Sequence, residues 1–442
     1  MISILLAVGS LIACFLAGNR SLKLGLCAII GVGYVYGIAR ANYPDSWTYL
    51  MFDFGTIGLY VAQIWRPMTL EQRRGSHDLR LWVVLLIGWP MLLFILFPGD
   101  NPLVQAVGLR ANVFLLPFLL LGARLTSDDL KDFAVFIAVL NLGAVALATV
   151  EFFVGIEPFF PSNEVTEIIY RSQDLLNHTA YRIPSSFSSA HAFAGAMAVT
   201  IPILVGAWAQ PDLKRTPSVL LGSAIIASFL GVFMAAARTH MVTVTLLALV
   251  VTFSGGLSAR QWIRWVLAIA IVGYVVAGSA RFQRFTSLAD SAMVSTRIGE
   301  SVNESFFDVI SQHPLGRGLS AGGTSIPYFL REDNQPGAIL ENEYARIALE
   351  QGLPGLLIWV TFIIWVLMRR PRRGQDSWLL GRRLAWVACA SIFISGVLGM
   401  GMMASVPQTA LMLIILGWMT TSRQSVPVLS RARPHTMAPA TS

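Results

Sequence analysis

The sequence predicts an all-α polytopic membrane protein of about 12 to 14 transmembrane helices, with one long polar loop that carries short helices. Three observations predict it. The 442 residues are 55% hydrophobic and only 13% charged, which a soluble chain of this length rarely shows. Apolar runs long enough to cross a bilayer recur along the chain, and the mean hydropathy is +0.64. One polar stretch, Gly278 to Gly352, interrupts them with paired acids and arginines.

Taken in order, the candidate spans are Ile2–Ala17, Leu24–Ala39, Leu50–Trp65, Leu81–Phe97, Ala111–Ala123, Phe133–Val154 and Ala192–Ala209. Ser218–Ala236, Met241–Phe253, Trp265–Ala277, Leu353–Met368, Leu384–Met403 and Gln408–Thr420 follow. A helix needs about 20 apolar residues to cross, or a few fewer when its ends snorkel. Ile2–Ala17 lacks a basic start and an A-x-A-like cleavage site, so it reads as a retained helix. Cys14, Cys27 and Cys389 all fall in apolar runs, as core or lipid-facing residues rather than disulfide or metal partners.

Charge placement orients the chain. With the N-terminus outside, inside loops hold Arg20 and Lys23; Arg66, Arg73, Arg74 and Arg80; Arg124 and Lys131; Lys214 and Arg215; and Arg260 and Arg264. Two later groups are Arg369 to Arg383 and the arginines of the C-terminal tail, so most of the 32 basic residues lie inside. The net charge of +8 is therefore a topology and lipid-surface signal, not a nucleic-acid one. The resulting divisions are N-terminal transmembrane helices (1–154), a first outside loop (155–190), central transmembrane helices (191–277), a large outside loop (278–352), C-terminal transmembrane helices (353–420) and a disordered tail (421–442).

The long loops hold arginines that the positive-inside rule does not explain. Arg182 precedes Ile183-Pro184-Ser185-Ser186-Phe187, just ahead of the seventh span. Arg238 lies at an outside turn between two spans, without an acid near it in sequence. Arg297 sits at the start of a predicted helix, Ile298 to Ile310. An arginine at membrane depth is costly unless paired or facing an aqueous cavity; snorkelling to lipid phosphates is the other reading for Arg238. Converging guanidinium forks bind a phosphate bidentately and stay charged at any working pH.

The segment Glu341-Asn342-Glu343-Tyr344 opens a predicted short helix that Gly352 and Pro354 close where the chain re-enters the membrane. Its acids satisfy the helix dipole in the structural reading; in the functional one Glu341 takes a proton from an incoming hydroxyl. Upstream, His313-Pro314-Leu315-Gly316-Arg317-Gly318 forms a glycine turn that either presents N–H groups to an anion or is a plain surface loop. The histidines are scattered and no Asp-x-Asp pair occurs, so no metal site is predicted.

In this order the motifs resemble the O-antigen ligase and O-antigen polymerase superfamily of bacterial inner-membrane glycosyltransferases. The resemblance is carried by Arg297, by His313 to Gly318, by Glu341-Asn342-Glu343-Tyr344 and by Glu350-Gln351-Gly352 followed by a membrane helix; Arg182 and Arg238 resemble the family's upstream arginine motifs. Ala237 and Thr239 replace the usual serine and glycine around Arg238. The resemblance spans roughly Tyr181 to Val360 and implies a GT-C-like architecture, with the large loop periplasmic.

It further implies a metal-independent, inverting transfer without cofactor, from a polyprenyl-diphosphate-linked oligosaccharide, in exopolysaccharide or O-antigen synthesis. Glu341, Arg297 and Arg182 are then the expected catalytic residues. Arg238, His313, Arg317, Asn342, Glu343 and Tyr344 are the expected substrate contacts. Membrane lipids, and a chain-length regulator or flippase of the same assembly system, are the expected partners, with no nucleic acid. Ligases usually carry a histidine where this chain has Glu341, which favours a polymerase over a ligase acting on lipid A-core or protein. A transporter, which would show repeated halves and midplane charges, fits less well.

Overall fold

The computed structural model describes residues 1–97, 101–171, 181–254, 257–277, 306–322, 330, 342–371, 376–397, 399 and 405–421; their regular structure is helical, with no strand among them. The N-terminal part comprises α1 (Ile2–Arg20), α2 (Leu22–Asn42), α3 (Ser46–Tyr49), α4 (Met51–Ile64), α5 (Leu70–Gly75), α6 (His77–Leu96), α7 (Pro102–Val113), α8 (Phe118–Ala123), α9 (Ser127–Val154) and α10 (Glu167–Arg171). Then come α11 (Ala190–Trp208), α12 (Arg215–Met234), α13 (Arg238–Phe253), α14 (Ala259–Ala277), α15 (Phe306–Gln312), α16 (Glu343–Met368), α17 (Leu379–Ser395) and α18 (Gln408–Thr420).

Eight of these, counting α7 and α8 as one, are long and apolar enough to cross a membrane: α1, α2, α6, α7–α8, α9, α11, α12 and α16. The protein is a multi-pass membrane protein. The other expected spans fall on α4, α13, α14, α17 and α18. The short α18 is buried along its whole length, so protein rather than lipid surrounds it and a full bilayer length is not demanded. Large apolar side chains face outward from the bundle instead, among them Leu5, Val84, Ile95, Phe153 and Phe253.

Local chemistry explains the helix starts. Ser21 caps α2 through Leu24 N–H, Thr126 and Asp129 form a reciprocal capping box on α9, and Ser189 caps α11 through Ala192 N–H. The expected span Ala111–Ala123 begins nearer the N-terminus. Asn101 caps α7 with Pro102 in its first turn, and Arg110, which made this stretch look like loop, is neutralised by Asp53 of α4 at 2.6 Å.

The core centres on α11, which packs against α9, α12, α17 and α18 and is almost wholly buried. Small residues permit this closeness. A Cβ on Gly122 would lie 2.0 Å from Ile414 O, and one on Gly417 2.0 Å from Leu119 O, so α8 and α18 touch backbone to backbone. Between α2, α9, α11 and α12 a polar hub replaces apolar packing. Asn141 accepts from Tyr34 Oη (2.6 Å) and donates to Thr200 Oγ1 (2.9 Å) and Ser228 Oγ (2.8 Å).

Candidate active site

Three groups of candidate side chains gather at one end of the bundle. The first is the loop before α11. Ser185 adopts a left-handed conformation (φ 53°), held from both sides: its N–H donates to Glu151 Oε2 at 2.8 Å and its hydroxyl to Ala144 O at 2.7 Å. Ile38 N–H of α2 donates to Ser186 O at 3.0 Å. Phe187 seats between Tyr34 and Phe193. Gly37 makes this fit possible, because a Cβ there would lie 2.0 Å from the Phe187 carbonyl carbon. So anchored, the loop carries Arg182, half-buried, with Nε buried and without a hydrogen-bond partner among the described residues.

The second group is the start of α13. Arg238 is its first residue, following Ala236 at φ 50°. A cation in a helix's first turn opposes the dipole, which favours anions there. The N-termini of α11, α13, α16 and α18 all lie at this end, and α11 packs on both α13 and α18. Behind Arg238, His240 stands edge-on to His191, ring centroids 4.4 Å apart, and 3.5 Å from the Gln408 amide. Thr243 of α13 and Ser391 of α17 share a hydrogen bond of 2.7 Å.

The third group is the start of α16. Asn342 caps it, accepting from Tyr344 N–H (2.9 Å) and Ala345 N–H (3.2 Å). Glu343 is 1% exposed, and its carboxylate meets Arg346 at 2.6 Å; Arg346 also meets Glu350 at 2.6 Å. Asn112 of α7 donates to Glu350 at 2.8 Å and accepts from Gln351 at 2.9 Å. Tyr344 Oη donates to Phe393 O at 2.7 Å, and Glu343 N–H to Gly396 O at 2.9 Å. These contacts lock α16 to α7 and α17. Of the expected substrate contacts, Glu343 has its carboxylate on Arg346 and the half-buried Tyr344 has its hydroxyl on Phe393 O.

The glycine turn is likewise structural. Gly316 N–H donates to His313 O at 2.9 Å and Arg317 N–H to Leu349 O at 2.6 Å, while Leu353 N–H donates to Pro314 O at 2.8 Å. The expected anion-facing N–H groups of Gly316 and Arg317 are thus taken. The turn instead seats against the junction in α16 where Gly352 leaves helical geometry at φ 70°, ψ −176°. The Arg317 side chain is exposed and His313 half-buried.

Arg182, Arg238 and Asn342 therefore share one end of the bundle through the contacts of α2, α11, α13, α17 and α18, whereas Arg297 and Glu341 lie outside the described residues. No group of three His, Cys, Asp or Glu among the described residues is placed to hold a metal ion. Sequence reasoning passed over Glu151, an acid alone at the end of an apolar run, and the His191–His240–Gln408 contact, whose members are far apart in the chain.

Residues 223–360 match the model of a family described as O-Antigen ligase. The match supports the O-antigen ligase and polymerase superfamily. The matched segment contains Arg238, Arg297, the glycine turn and Glu341 to Tyr344, and stops short of Arg182. It supports ligase- or polymerase-type function in general, within a family of glycosyltransferase-like enzymes. No curated protein sequence matches the chain.

Proposed function

We propose that the protein joins polyprenyl-diphosphate-linked oligosaccharide repeat units at the periplasmic face of the inner membrane, by inverting, metal-independent glycosyl transfer. The observation that carries this reading is the pairing of Arg182, its Nε buried without a partner, with Arg238, set against the dipole at the start of α13. Both suit an anion placed at this end, and the second lies in the segment matched to the O-antigen ligase family.

Arg182, Arg238 and Arg297 bind the donor's diphosphate and stabilise the charge that grows on it as it departs. The acceptor hydroxyl oxygen forms a bond to the anomeric carbon as the bond from that carbon to the phosphate oxygen breaks. The hydroxyl proton passes to Glu341, which precedes the capping Asn342 in sequence. The product stays on the carrier of the acceptor chain, and the donor's carrier leaves as its diphosphate. Asn342, Glu343 and Tyr344 hold the start of α16.

A ligase that moves the finished glycan to lipid A-core or protein is the second reading, favoured by the description of the matched family. Extension of lipid-linked repeats by the purified protein tests the first. Full activity of Arg182→Ala or Arg297→Ala defeats the diphosphate clamp, and full activity of Glu341→Gln removes Glu341 as base. A deletion strain separates the two readings: single repeat units still delivered without long polymer mark a polymerase, and polymer accumulating on its carrier marks a ligase.

A further inference from the structure

Beside the arginine loop, α2, α3 and α7 bring two guanidinium groups onto one aromatic ring. The guanidinium carbon of Arg40 lies 4.9 Å from the centre of the Tyr49 ring and that of Arg110 lies 5.3 Å from it. The two cations are therefore no more than about 10 Å apart. Arg110 has a carboxylate: its Nη2 and Nε reach Asp53 Oδ2 at 2.6 and 2.9 Å. Arg40 Nε is buried and has no hydrogen-bond partner among the described residues.

The ring between them is fixed in place. Tyr36 Oη donates to the Tyr49 carbonyl at 2.9 Å, and Asp45 caps α3 through Thr48 N–H at 2.9 Å. Burial works against ionisation of Asp45, but hydrogen bonds from Ser3 and Thr48 outweigh it and hold its carboxyl below the usual carboxylate value. The cap is thus a charged acceptor across the neutral range.

Of the two cations on this ring, Arg110 is paired with Asp53 while Arg40 has no ion pair among the described residues, and like charges this close repel. A buried guanidinium N–H without an acceptor carries a further penalty. An anion against Arg40 relieves both. The C-terminal dipole of α2 accounts for a cation in its last turn, but not for a buried Nε lacking an acceptor or for a second guanidinium on the same ring. The anion's source follows from position. Arg40 lies two residues past Ile38, whose N–H binds Ser186 O, and two before Asn42, whose amide donates to Phe159 O at 2.9 Å. This is the end of a membrane bundle, where phosphate is carried by lipids.

We propose that Arg40, Arg110 and Tyr49 form a binding site for a lipid-borne phosphoryl group, built from side chains other than Arg182 and Arg238. Its placement at the outer membrane surface rests on the function proposed above. That function brings two carrier-linked chains together, so a second phosphate seat has an evident occupant in the diphosphate of the other carrier. A phospholipid headgroup offers the same chemistry from a second source.

The test uses the full-length protein in lipid nanodiscs, with farnesyl diphosphate as the carrier probe and native mass spectrometry of retained phosphatidylglycerol as the headgroup probe. Arg40→Ala is expected to weaken farnesyl diphosphate binding by about tenfold or more, the loss expected for a charge-assisted contact. Arg40→Lys, which keeps the charge but loses the fork, is expected to fall between. Loss of retained phosphatidylglycerol with unchanged farnesyl diphosphate binding assigns the seat to a phospholipid. No change of either ligand in folded Arg40→Ala overturns the proposal. If that variant fails to fold, the same readings from Arg40→Lys and Tyr49→Leu decide. Both probes unaffected in Arg40→Ala, alongside loss of farnesyl diphosphate binding in Arg182→Ala, removes this site and leaves the proposed function standing; both probes retained in both variants removes both.

Discussion

Replacing Glu151 with leucine removes the acceptor that holds the arginine loop. In the native protein Glu151 Oε2 accepts the Ser185 N–H at 2.8 Å, and that N–H belongs to a buried residue. Leucine fills similar space but leaves the donor orphaned, at a cost of about 1–3 kcal/mol. Ser185 also sits at φ 53°, a conformation that costs on the order of 1 kcal/mol and persists only while its surroundings enforce it. Two anchors survive the change, Ser185 Oγ to Ala144 O and Ile38 N–H to Ser186 O, so the loop loosens without the bundle unfolding. An energy of 1–3 kcal/mol corresponds to a roughly 5- to 150-fold shift in the population of the held loop. The expected outcome is a fall in kcat/KM for extension of lipid-linked repeats, by about tenfold or more within that range. Glu151→Gln keeps a side-chain oxygen for the same N–H and is expected to stay close to wild type. Two results refute the reasoning: a fully active Glu151→Leu, or a Glu151→Gln as impaired as the leucine variant, which would show that charge rather than acceptance matters.

Arg346→Met leaves Glu343 and Glu350 buried without their shared cation, at a cost of about 3–5 kcal/mol. Thermal unfolding in detergent should show a large destabilisation, most of it recovered when Glu343→Gln and Glu350→Gln are added; no recovery means the ion pairs are not its source. Gly37→Ala puts a methyl carbon 2.0 Å from the Phe187 carbonyl carbon, so α2 and the arginine loop must separate at a cost of about 1–3 kcal/mol. Extension activity should drop more than thermal stability in that variant, and an unchanged specific activity contradicts the packing described.

Some of this was legible in the chain and some was not. The apolar runs of α9 and α12 show in sequence because about 20 contiguous apolar residues have few soluble alternatives. The break at Gly352 shows because glycine followed by Pro354 leaves few options for the backbone. The role of Glu343 did not show. Its place beside Asn342 and Tyr344 has the look of a surface site, and only Asn112 of α7, together with Arg346 and Glu350, turns it inward. The seat of the glycine turn did not show for a similar reason: glycines free the backbone to bend, but which carbonyl receives the Arg317 N–H depends on Leu349 of a helix further along the chain.

By itself the sequence determined that this is a multi-pass helical membrane protein. It also determined where most spans lie and that several arginines are left over from the demands of topology. Those properties follow from local composition and from the cost of placing polar groups in hydrocarbon. The tertiary structure alone decided which of those arginines stand together. Arg110 acquires Asp53, Arg346 acquires two glutamates, and Arg40 and Arg182 each keep a buried Nε with no acceptor among the described residues. Arg110 and Asp53 come from α7 and α4, so their pairing depends on how those helices pack and no short window of the chain contains both; Arg346 and its glutamates share one helix, and only its packing against α7 buries them.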